Sequence, residues 1–221
     1  YAFSETSLVL EPFVREHGRV AMLARGARRP RSAMRGVLHG FQPLELSWFG
    51  GGEVKTLARA EWLGGMAFPS GEGLLVGYYL NELLLKLLPR EDAHPALFDA
   101  YAAALGGLAR SAADTAELRR FEKTLLRELG YGLVLDRDVA GRPVEAERDY
   151  RYQIERGAVS AEDTESGQPV SGATLIALAE DNYDDARTLA ESKQLMRYLI
   201  GHHLGGQSLQ TRRVFIELQE G

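Results

Sequence analysis

Apolar residues come in short runs through the first third of the chain and change their period near residue 69. Residues 7–14 (SLVLEPFV) are rich in strand formers, 15–18 (REHG) read as a turn, and 19–23 resume apolar character, which predicts a hairpin. Residues 44–49 (LELSWF) and 53–63 (EVKTLARAEWL) flank Gly50-Gly51-Gly52 and predict a second hairpin. Four or five short strands in this space indicate a small barrel or sandwich.

From residue 69 onward the spacing is helical. Leu74, Leu75, Tyr78, Tyr79, Leu83, Leu84, Leu87 and Leu88 recur at helical intervals until Pro89 stops them. A second helix is predicted over about 95–109, and a third over 118–129 is capped by Thr115 and closed by Gly130. Residues 131–170 contain Gly141, Pro143, Gly157, Gly167 and Pro169 with few apolar runs, and read as irregular with one strand at 150–154. Helices over 174–179, 186–204 and 211–218 complete the chain. The boundary falls at 64–71, giving expected domains at 1–68 and 69–221, with no fixed-period repeat.

Composition narrows the chemistry. The chain has 221 residues, 45% of them hydrophobic and 26% charged, values ordinary for a folded protein with room for a real core. Cysteine is absent, which excludes disulfides, thiolate zinc sites, iron–sulfur clusters and a cysteine nucleophile. No apolar run is long enough to span a membrane, and no signal peptide is visible, so a cytoplasmic protein is expected. The chain opens on Tyr1-Ala2-Phe3 instead of methionine, so N-terminal residues are expected to be missing.

Charge changes the picture most. The net charge is −5, yet Arg15, Arg19, Arg25, Arg28, Arg29, Arg31 and Arg35 stand against the single acid Glu16. Gly26, Pro30 and Gly36 keep this stretch from forming one helix or strand. Arginines on such a loop can track a phosphodiester backbone through bidentate contacts, releasing condensed counterions. A solvated loop paired with acids elsewhere, or one serving another anionic surface, is the competing reading. Of the aromatic residues in the β region, Phe13, Phe41, Trp48, Phe49 and Trp62, most are expected to face the interior. Phe41 follows the basic loop directly and is the best candidate for stacking on a base.

Metal and acid–base chemistry find little support. His202 and His203 are adjacent and diverge around a helix, and His17, His39 and His94 lack spaced partners. The carboxylates of Asp136/Asp138 and of Asp181/Asp184/Asp185 come without a histidine or lysine set for catalysis. No phosphate-cradling G-x-x-x-x-G-K-[ST] loop and no G-x-S-x-G elbow occurs. On the third helix, Arg119, Arg120, Lys123 and Arg127 line up beside Leu118, Phe121, Leu125, Leu126 and Leu129. That combination could hold a peptide with an apolar anchor and a terminal carboxylate, or be an amphipathic helix with a solvated face. A metal-dependent nuclease and an RNA-binding module stay open beside a DNA-binding protein.

Several stretches resemble the bacterial recombination mediator family RecO. They are GRVAMLARGAR followed by a basic run and FQP, then GEVKTLARAE, GYYLNELLLKLL, LRRFEKTLLRELGYG, DYRYQIERG and YLIGHHLGGQSLQTRR, in order along nearly the whole chain. The family's first strand is longer, and some members carry a four-cysteine zinc site that this chain lacks. The resemblance implies an α+β protein, an N-terminal OB-fold barrel followed by an α-helical domain, acting without catalysis or cofactor. It also implies binding of single- and double-stranded DNA, strand annealing, binding of the tail of the single-stranded-DNA-binding protein, and cooperation with RecR, RecA and, in some pathways, RecF. Arg25, Arg28, Arg29, Arg31 and Arg35 match the family's DNA-contacting region, and Arg119 and Arg120 match its tail-binding motif.

Overall fold

Pro12 lacks a backbone N–H and breaks the first strand in two. In the computed structural model, which describes residues 5–111 and 115–220, β1 (Leu8–Leu10) and β2 (Phe13–Val14) flank that proline. The chain turns at 15–18 and returns as β3 (Gly18–Arg19) and β4 (Met22–Ala24). β2 pairs with β3 and β1 with β4, both antiparallel, while Val20 N–H donates to the Pro12 carbonyl at 3.1 Å. Gly18 has φ +67° and lies so close to the backbone of Asp92 that a Cβ would fall 1.9 Å from its carbonyl oxygen. Only glycine fits there.

The second hairpin forms as the pattern predicts. β5 (Leu44–Phe49) and β6 (Lys55–Trp62) pair antiparallel around the glycine turn, with a register shift between Ser47 and Trp48. β6 also pairs parallel with β4, giving a sheet of order β1-β4-β6-β5. Among the described residues no pairing joins β5 to β1, so the sheet is not closed into a barrel. Its core face buries Val20, Met22, Ala24, Ala27 and Leu57.

Helix α1 (Glu72–Leu87) buries Leu80, Leu83 and Leu84, and α2 (Pro95–Arg110) buries Leu97, Ala104, Leu105 and Leu108. Pro95 starts α2 at the position where its missing N–H costs nothing. Both helices belong to one compact unit with the strands, Tyr1–Ala113 together with Arg213–Gly221. Packing thus divides the chain after α2, beyond the change of period at residue 69. Phe13 seals this association, with its ring 5.6 Å from Phe98 and 6.0 Å from Tyr101.

The second unit, Asp114–Arg212, begins with α3 (Thr115–Glu128). Thr115 is its first helical residue, and residues 112–114 lie outside the described ones. The middle region departs from expectation. Residues 131–170 are not irregular with one strand but hold three, β7 (Asp149–Gln153), β8 (Gly157–Ser160) and β9 (Gln168–Ser171), in the order β8-β7-β9. β8 is buried at all four residues, so it shows no alternation, and β9 carries Pro169, which an edge strand tolerates. α4 (Gly172–Ala179) and α5 (Ala186–His203) follow, capped by Ser171 and Asp185, whose side chains accept from the Thr174 and Thr188 amides. α6 (Gln210–Glu220) is the last element. No described helix is long and apolar enough to cross a membrane.

Candidate nucleic-acid interface

The basic loop leaves β4 and is built from successive turns. Gly26 adopts φ +68°, and the amides of Arg29, Ser32 and Arg35 bond to the carbonyls of Gly26, Arg29 and Ser32 at 3.0–3.2 Å. Ala27 plugs into the core, fully buried, while Met34 and Leu38 pack against the same cluster. The Arg28 amide donates to the Thr6 carbonyl at 2.9 Å. Small and apolar residues thus anchor the loop, and the arginines between them have nowhere to go but outward. Arg25, Arg28, Arg29, Arg31 and Arg35 are all exposed. Among the described residues no acid lies within ion-pair distance of Arg25, Arg29, Arg31 or Arg35.

Two arginines and one aromatic ring read as DNA contacts from the sequence are engaged by other residues of the fold. Arg15 donates to Asp99 at 2.9 and 3.1 Å and to Glu16 at 2.7 Å, so its charge is already matched. In return its guanidinium holds the Asp99 carboxyl below the usual carboxylate range. Arg19 is only 8% exposed. Its Nη1 donates to the carbonyls of Leu84, Leu85 and Leu88 at 3.2, 2.7 and 2.6 Å, and its Nη2 to Glu11 at 2.6 Å. Arg19 thus serves the carbonyl end of α1, where Leu84 also accepts from the Leu88 amide at 3.1 Å, and places a favourable positive charge there. Glu11 also accepts from Arg90. Burial alone would raise the Glu11 pKa, but hydrogen bonds from Arg90 and Arg19 outweigh it and hold that carboxyl below its ordinary value. Phe41 is 7% exposed and sits beneath Phe68 and Tyr78, so no base can stack on it.

Conversely, Phe49 and Trp62 are 61% and 59% exposed, although two-residue spacing placed most such rings inside. Phe49 alternates with Trp48 and so falls on the solvent face with Glu45 and Ser47, whereas Trp62 lies at the open end of the hairpin, where the core no longer covers it. For Phe49 the alternation itself was the available signal, and for Trp62 it was the glycine pair just beyond the hairpin end, Gly64-Gly65.

On α3 the four basic residues separate. Arg119 is 5% exposed and forms a buried pair with Glu122, Nη1 to Oε2 at 3.1 Å, so it is not available to a peptide. Lys123 donates to the Leu178 carbonyl at 2.7 Å and pairs with Asp181 at 2.6 Å, closing the end of α4. Arg120 pairs with Glu117 at 2.6 Å, donates to the Asp181 carbonyl at 3.1 Å, and lies 5.2 Å from the Tyr183 ring. Burial, with Asp181 beside it, pushes the Tyr183 hydroxyl pKa up. Arg127 is the most exposed of the four, with Glu128 3.5 Å away. Only Arg120 and Arg127 therefore keep part of their guanidinium toward solvent.

The carboxylates do not form a catalytic pair. Asp136 pairs with its neighbour Arg137 at 2.9 Å. Asp138 accepts from the amides of Ala140 and Arg142 at 2.9 Å and from the Arg142 side chain at 2.8 Å, holding a tight turn. Among the described residues no three histidine, aspartate or glutamate side chains converge on a point that could hold a metal ion.

A family model described as Recombination protein O N terminal matches residues 1–66, and one described as Recombination protein O C terminal matches residues 69–213. The chain belongs to the RecO family. Relatives named DNA repair protein RecO include one from Aromatoleum aromaticum, 58% identical over 223 residues that cover 100% of this chain and 92% of that protein. Those from Dechloromonas aromatica and Ralstonia nicotianae are 53% and 50% identical, covering 100% of this chain and 93% and 82% of theirs. RecO membership assigns the strand-rich N-terminal region to an OB fold in an α+β protein and supports a role in DNA repair and recombination.

Proposed function

We propose that this chain is a DNA-binding recombination mediator that works by association and catalyses no bond chemistry. The five exposed arginines on the anchored loop carry this reading, because like charges are gathered there with so few acids to offset them. Phosphates of single- or double-stranded DNA complete the charge balance and release counterions as they bind. Lowered repulsion between strands lets complementary sequences anneal, with base pairing supplying the drive.

On the same reading, the outward parts of Arg120 and Arg127 meet the acidic tail of the single-stranded-DNA-binding protein. With RecR, and in some pathways RecF, the complex promotes RecA loading in the cytoplasm at the nucleoid. Charge reversal of Arg28, Arg29 and Arg31 to Glu tests the carrying observation: DNA binding should fall for single strands and duplexes alike. Unchanged affinity would contradict it. Metal-dependent strand cleavage lost on Asp136→Ala would overturn the non-catalytic reading.

A further inference from the structure

Three exposed aromatic rings gather around residues 41 and 42, directly after the arginine loop. Trp62 Nε1–H donates to Gln42 Oε1 at 2.9 Å, which fixes the plane of an indole that is 59% exposed. The buried Phe41 ring lies 5.8 Å from Phe68 and 5.1 Å from Tyr78, each edge to face, and those two rings are 51% and 50% exposed. Each ring is thus held from behind and open in front.

The register explains why Trp62 is bare. Leu46 pairs with Ala60 and Leu44 with Trp62, so Trp62 continues the row whose earlier members pack on the core. That row runs out into solvent at the end of the hairpin. Glu45 and Glu61 fall on the opposite face by strand alternation, and Glu61 is paired with Arg59. The acids of β5 and β6 thus lie on the face away from Trp62, and the cationic loop precedes Phe41 in the chain. Phe41 is six residues from Arg35, a span of at most about 20 Å.

We infer that Trp62, Phe68 and Tyr78 form a base-stacking platform for single-stranded DNA beside the arginine loop, an inference that rests on the DNA-binding reading of that loop. A single strand whose phosphates lie on the arginines has bases free to reach the rings. A duplex keeps its bases stacked internally, so the platform distinguishes the two. Stacking is not an ionic contact, and its share of the affinity does not change with salt.

The chain has two tryptophans, so Trp48→Phe leaves Trp62 as the sole reporter. In the full chain carrying that change, oligo(dT) should quench the fluorescence of Trp62 and a duplex of equal length should not. In the otherwise natural chain, Trp62→Ala should weaken oligo(dT) binding by about fivefold to a hundredfold. Duplex affinity and the salt slope should be unchanged, and Trp62→Phe should restore most of the loss. Absence of quenching, equal quenching by duplex, or unchanged oligo(dT) affinity in Trp62→Ala would overturn the platform. Charge reversal of Arg28, Arg29 and Arg31 in the same titrations reads the loop separately. Loss in the reversal with none in Trp62→Ala removes the platform and leaves the loop. Loss in Trp62→Ala with none in the reversal removes the loop's part.

Discussion

Replacing Arg19 with alanine should damage the fold and spare the DNA interface. The guanidinium serves four acceptors at once: the carbonyls of Leu84, Leu85 and Leu88 and the carboxylate of Glu11. Its removal leaves the end of α1 without that donor and removes one of the two arginines that bind Glu11, whose side chain is only 12% exposed. Breaking a buried ion pair costs about 3–5 kcal/mol, and a hydrogen bond to a charged group contributes about 1.5–3 kcal/mol. Because Arg90 still reaches Glu11, the lower part of that range applies, about 3 kcal/mol. At about 2–4 °C per kcal/mol the melting temperature should drop on the order of 10 °C. Urea and thermal unfolding followed by circular dichroism measure the loss, and DNA binding is titrated well below the transition. Arg25→Ala is the control, expected to change stability by less than about 0.5 kcal/mol and to weaken DNA binding. A natural stability for Arg19→Ala, joined to a reduced salt slope for DNA, would refute the structural role.

Glu191 gives a pH signature. Burial would raise its pKa, but bonds from the Ser171 hydroxyl and amide, from Thr174 and from Arg187 hold it at about 2 against an ordinary 4.5. A depressed carboxyl stabilises fully above pH 4.5 and loses that contribution as pH falls through 2, about 3 kcal/mol in all. Urea unfolding from pH 5 downward should therefore show a flatter profile for Glu191→Gln, and a profile parallel to the natural chain would refute the assignment. Phe41→Ala should cost about 3–5 kcal/mol as a lost core ring, read by the same unfolding assay; a cost near zero would show that the ring is not buried as described. Arg120→Glu should weaken binding of the acidic tail peptide on the order of tenfold by calorimetry and leave DNA binding nearly intact. Equal losses in both would mean that the two surfaces are not separate.

Much of this was legible locally. The glycine turn between β5 and β6, Pro89 after α1, Pro95 at the start of α2 and the Asp185 cap of α5 are all signals carried by adjacent residues. β8 and β9 were not, because a fully buried four-residue strand has no alternation and Pro169 argues against a strand unless its edge position is known. The fate of each arginine was also hidden. Arg19 and Arg25 look alike in sequence, yet α1 brings its carbonyls to Arg19 from 65 to 69 residues away. Arg119 and Arg120 are neighbours on one helix, and their 100° divergence turns one into the core and leaves the other at the surface. Phe41 was read as a stacking ring because it follows the loop, whereas Phe68 and Tyr78, which bury it, are distant in sequence.

The central claim is that five exposed arginines, and not Arg15 or Arg19, hold the DNA phosphates. The salt dependence of binding counts those contacts. With five, log K against log salt between about 50 and 200 mM should have a slope of about −3.5 for single strands and about −4.5 for duplex. Replacing Arg28, Arg29 and Arg31 with Gln should reduce the single-strand slope to about −1.4. A slope unchanged by that triple replacement would contradict the account.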